Sequence, residues 1–143
     1  MQGSLAVERT VFALNSAQNG GAIHLDETVS AYVHNSTITE NSAYFGAGFH
    51  VHNYMRATIS NSTLYSNSAI SDGAIGAAVS VDSSGAHVIV ANCTLSKNVA
   101  SKGAAVGVWS GASAAITHSV LSANTALDSG HGASRRPRAR DPI

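Results

Sequence analysis

Apolar and polar residues alternate along this chain in short bursts. Ile23-His24-Leu25-Asp26, Phe49-His50-Val51-His52, Val79-Ser80-Val81-Asp82 and Val106-Gly107-Val108-Trp109 share one pattern, each led by a glycine at 20, 46, 76 or 103. A second set, Ser30–Asn35, Arg56–Asn61, His87–Asn92 and Ala114–His118, alternates in the same way. A two-residue period over about five residues marks a strand with one buried face, and helical periodicity is absent throughout. The expected inward columns are Ile23/Phe49/Val79/Val106, Leu25/Val51/Val81/Val108 and Val7/Val33/Ile59/Val90/Ile116.

A third segment sets the spacing. Asn35–Ala43 (NSTITENSA) returns as Asn61–Ala69, Asn92–Ala100 and His118–Ala126, with a fainter copy at Arg9–Ala17. Its second asparagines, Asn15, Asn41, Asn67, Asn98 and Asn124, lie at intervals of 26, 26, 31 and 26. Such a period signals a solenoid, in which strands too short to bury a face alone pair with their counterparts one turn away, about 4.8 Å along the axis. The expectation is an all-β tube of about four to five rungs of ~26 residues over residues 1–126, with three short strands per rung. The asparagines then stack at the corners, because Asn tolerates left-handed backbone angles and its amides can bond along a ladder. Asn35, Asn61 and Asn92 are assigned to ladders on the same grounds. The 31-residue interval holds an enlarged turn, Ser68 to Ile75, and one extra residue near Ser84. Gly76–Asp82 is preferred over Gly73-Ala74-Ile75 as the strand that follows.

These features resemble the right-handed parallel β-helix (pectin-lyase-like) superfamily. Within it, Gly20-Gly21-Ala22-Ile23 paired with Phe12-Ala13-Leu14-Asn15 resembles the repeats of chlamydial polymorphic outer membrane proteins, over residues 5–126. Later copies carry Ile or Leu for Phe, and GAGF or GAAV for GGAI. The resemblance implies a surface-exposed adhesin or, elsewhere in the superfamily, an enzyme acting on polysaccharide. It also implies an extracellular or cell-surface location. No signal peptide is visible, and the chain reads as a fragment of a longer solenoid.

Composition narrows the partners. Charged residues are 11% of 143, and the formal net charge is zero. Residues 1–134 carry four basic against seven acidic side chains, −3, while the tail adds four arginines against Asp141, +3. The body is therefore no nucleic-acid binder, and residues 127–143 read as a disordered basic tail. The single cysteine, Cys93, excludes an internal disulfide and stands where other copies have serine, which makes it a small packing residue. No apolar run reaches membrane-span length. Uncapped rungs would leave the ends open to self-association.

Candidate chemistry lies on the outward positions of the glycine-led strands. Asp26, His52, Asp82 and Trp109 fall in one column, with His24 and His50 beside it. Imidazoles, carboxylates and an exposed indole suit a sugar-binding strip, and less well a divalent metal, since a flat ladder does not make the imidazoles converge. Gly130-His131-Gly132 matches a polygalacturonase tripeptide, but the accompanying motifs are missing and it is taken as coincidence. Three sequons beginning at Asn35, Asn61 and Asn92 follow from the repeat itself. The expected function is a non-catalytic adhesin-like repeat module that binds polysaccharide or a host surface without cofactor or metal. The alternative is a fragment of a polysaccharide lyase or glycoside hydrolase.

Overall fold

The computed structural model describes residues 3–26 and 29–127. The chain coils into a parallel β-solenoid of about five turns. One five-stranded sheet holds Gly3–Glu8, Val29–His34, Arg56–Ser60, His87–Ala91 and Ser113–Thr117. A second holds Val11–Ala13, Thr37–Thr39, Thr63–Tyr65, Thr94–Ser96 and Val120–Ser122. The glycine-led strands Ile23–Leu25, Phe49–Val51, Val79–Val81 and Val106–Val108 form a four-stranded sheet. To these the structure adds a short corner sheet, Ser68–Ala69, Val99–Ala100 and Thr125–Ala126, extended by bridges through Ser16 and Ser42. Two residues carry too little alternation to announce such a strand.

Register follows the repeats. Val33 pairs with Val7 on one side and Ile59 on the other, and Phe49 lies between Ile23 and Val79. The second pairing settles the alignment in favour of Gly76–Asp82. The resulting columns fill the tube, with Phe49, Ile38, Ile59, Leu64, Leu95, Val51 and Val81 wholly buried. Cys93 packs among them.

The two sets of asparagines do different work, which corrects their common assignment. Asn41, Asn67 and Asn98 are buried and form a continuous amide ladder, with Asn15 and Asn124 at its ends. The left-handed residue at that bend is the one before each asparagine: Leu14, Glu40, Ser66, Lys97 and Ala123 have φ of 52–59°. Asn35, Asn61 and Asn92 are themselves left-handed, with φ of 48–53°, and lie exposed at the next corner. There the ladder belongs to the following residue. Ser62 Oγ accepts from the Ser36 backbone N–H at 3.0 Å, and Ser119 Oγ from that of Cys93 at 3.0 Å. A side chain cannot both turn the corner outward and stack inside it, so the two tasks fall to adjacent residues.

Candidate functional site

The predicted column is present. Beyond each glycine-led strand the parallel pairing continues, as His52 N–H donates to Leu25 O, Asp82 N–H to Val51 O and Trp109 N–H to Val81 O, each at 2.9–3.0 Å. Asp26, His52, Asp82 and Trp109 therefore follow one another rung by rung. At the head of this row Asp26 Oδ1 accepts from Asn53 Nδ2 at 2.7 Å and lies 3.4 Å from His52 Nδ1. His24 Nε2 is 3.9 Å from the other carboxylate oxygen. The Asn53 amide, and after it His52, hold the Asp26 carboxyl below the usual carboxylate range. Asp82 turns to its own turn instead, accepting from the Ser83 N–H at 2.7 Å.

The neighbouring column departs from expectation. His50, placed outward and open by alternation, is only 3% exposed, and Ser80 is fully buried. The cause is the bend before each strand, which folds back over it. Gly46 has φ +55°, and a Cβ there would strike Phe49 O and lie 2.8 Å from His50 Cβ. Phe45, carried on that bend, stacks on the His50 ring at 5.9 Å. His24 and His52 stack on it at 4.9 and 5.8 Å. Burial first, and then the neighbouring His24 and His52, push the His50 pKa down to about 4. His24 at the head of the column is exposed, and below it the covered residue shrinks from His50 through Ser80 to Gly107. Ile75 closes over the last, where a Cβ would come within 2.8 Å of Ile75 Cγ2.

Trp109 is also less open than alternation suggests. It is half-buried, and Lys102 Nζ lies 5.8 Å from its ring centroid. His50 Nδ1, Ser80 Oγ and Trp109 Nε1 are buried without a hydrogen-bond partner among the described residues. All three belong to adjacent rungs of this face. The sequence pointed to the row but not to Asn53, Phe45 or Lys102. The first two follow no strand pattern, and the third is one of only two lysines in the sequence, with nothing to mark it until the bend brings it over the indole.

Among the described residues no three His, Cys, Asp or Glu side chains are placed to hold one metal ion together. No helix there is long and apolar enough to cross a membrane. Gly130-His131-Gly132 and the basic tail from residue 128 onward lie outside the described residues.

A family model of the right-handed beta helix region matches residues 3–127, nearly the whole solenoid. The chain belongs to the right-handed β-helix family. Comparison with curated proteins and with solved structures gave no match. Family membership accounts for the coiled tube of parallel strands.

Proposed function

We propose that the chain is a non-catalytic β-helix module of a cell surface, adhesin-like, that holds an extended saccharide along the row Asp26, His52, Asp82 and Trp109. The observation that carries this reading is the preorganised head of the row. Asp26 is an ionised acceptor fixed by Asn53 and His52, on a straight line of polar groups that ends in an indole. Packing explains the inward Ile, Leu, Phe and Val but not these outward choices. Sugar hydroxyls suit the carboxylate and imidazoles, and a ring face suits Trp109. The likeness of GGAI and F-x-x-N to polymorphic outer membrane repeats supports the surface location.

Trp109 is the only tryptophan, so its fluorescence reports on the row directly. Titration with plant, algal and host-type oligosaccharides is expected to shift it, with no reducing-sugar or unsaturated product released. By calorimetry, Trp109→Ala should weaken binding by about 1–3 kcal/mol, from lost stacking and burial, and Asp26→Ala should weaken it as well. Equal binding by both variants would sink the reading. Product release would establish the lyase or hydrolase alternative in its place.

A further inference from the structure

A concavity lies away from the row, around the corner made by Tyr44 and Phe45. Phe45 pairs with Asn19, 26 positions earlier, and with Ile75, 30 positions later, so four extra residues enter the turn after Ala69. They do not trail into solvent. Tyr44 Oη donates to Asp72 O at 2.6 Å, Ser101 Oγ to Ser71 O at 2.8 Å, and the Ala74 N–H to Ser71 O at 2.8 Å. Pinned from two sides and closed by a bond of its own, the turn stands as a wall beside the outer face of the corner sheet. The hollow between them has a volume of about 320 Å³, at the small end of the range for small-molecule sites.

Its lining differs from the row in one respect that decides the ligand. None of its side chains carries a charge. Ser16, Ser42 and Ser68 come from successive rungs and are bridged in register, so their hydroxyls recur at about the strand spacing of 4.8 Å. Gln18 adds an amide, and Tyr44 and Ile70 supply the apolar part. Ile70 is 62% exposed on a turn that is otherwise tied down. The floor's backbone groups are already paired between rungs, Ser42 N–H to Asn15 O at 2.9 Å and Ala43 N–H to Ser68 O at 3.2 Å. An extended peptide would find no free strand edge here. Hydroxyls on one side and an apolar wall on the other match a sugar ring, which has hydroxyls at its rim and C–H groups on its face.

We propose that this hollow binds a short neutral saccharide, at a site separate from the row ending in Trp109. The test is a titration of the ¹⁵N-labelled chain with cellotriose, mannotriose, maltotriose, a galacturonate trimer and a hydrophobic peptide, following backbone amides. At least one neutral trimer should shift Ser42, Tyr44 and Ser71, with the galacturonate trimer weaker. Ser42→Phe, which fills the floor from an exposed position, should weaken that binding roughly tenfold or more. Trp109→Ala should leave it unchanged, so the hollow and the row are judged separately. Should Ser42→Phe perturb amides elsewhere, Ile70→Ser on the exposed wall serves as the second variant, with the same loss expected. The proposal is overturned if no neutral trimer shifts these amides at tens of millimolar, if the peptide binds more tightly, or if neither variant weakens binding.

Discussion

At the level of the residue, the ladder asparagines use every hydrogen-bonding position an amide has. Asn67 Oδ1 accepts from both the N–H and the Nδ2 of Asn41, at 3.1 and 3.0 Å. Its own Nδ2 donates forward to Asn98 Oδ1 and back to Ile38 O, both at 3.0 Å. Neither a shorter nor an acidic side chain can do this. Asn67→Ala should cost about 2–5 kcal/mol, since it strands buried groups on both neighbouring rungs and leaves a void. Asn67→Asp should behave differently. It keeps the acceptor but turns an oxygen toward Asn98 Oδ1 and Ile38 O, so its folded pKa rises above the unfolded value near 3.9. A group raised in this way gives stability that is present at low pH and is lost as pH rises through the folded pKa. Urea melts of Asn67→Asp at pH 3.5 and 7 should therefore show a larger deficit against the parent at pH 7. An equal deficit at both would mean the amide protons contribute nothing beyond shape.

At the level of the element, each glycine-led strand is one unit with the bend that covers it, and His50 joins the two. Because its folded pKa lies near 4 and the unfolded value near 6.5, His50 contributes stability that is full above pH 6.5 and declines as pH falls toward 4. That lowering corresponds to about 3 kcal/mol. Denaturation midpoints should fall over this window in the parent and much less in His50→Phe, where an aromatic ring is kept and the proton site removed. Parallel slopes would place the acid sensitivity elsewhere. The strands themselves were legible in the sequence, because a two-residue period and a 26-residue spacing each report a buried face independently. Phe49, Val51 and Ile59 needed only to be counted. The bends were not legible, because what decides them is backbone direction. Glu40, Ser66 and Lys97 sit in left-handed conformations that their side chains do not announce, while the asparagine beside each of them does. The same limit explains the candidate row. Alternation placed Asp26, His52, Asp82 and Trp109 correctly in one column, but it could not show Phe45 folding over His50.

At the level of the whole molecule, a tube of stacked rungs has two ends, and every interior rung lends the next both its strand edges and its apolar cross-section. In the last described rung, Val106–Val108, Ser113–Thr117, Val120–Ser122 and Thr125–Ala126 each pair on one side only, as the final members of their sheets. Leu121 is 46% exposed and Ile116 41%, although their counterparts Leu95 and Val90, one rung back, are wholly buried. Residues placed for a core and left open, beside a row of N–H and C=O groups with no strand partner among the described residues, favour association in register with another strand edge. The chain is therefore expected to self-associate as its concentration rises, which sedimentation velocity over a hundredfold range would show. Leu121→Lys is the decisive variant. It places a charge in the end face at a half-open position while leaving every residue of the interior rungs unchanged, so it should shift the distribution toward monomer and leave the thermal midpoint of the monomer within a few degrees. The row and the hollow lie on the sides of the tube, so the saccharide binding proposed for them should be unaffected. A parent that stays monomeric throughout, or a Leu121→Lys chain that associates as strongly, would show that this end face is covered in solution.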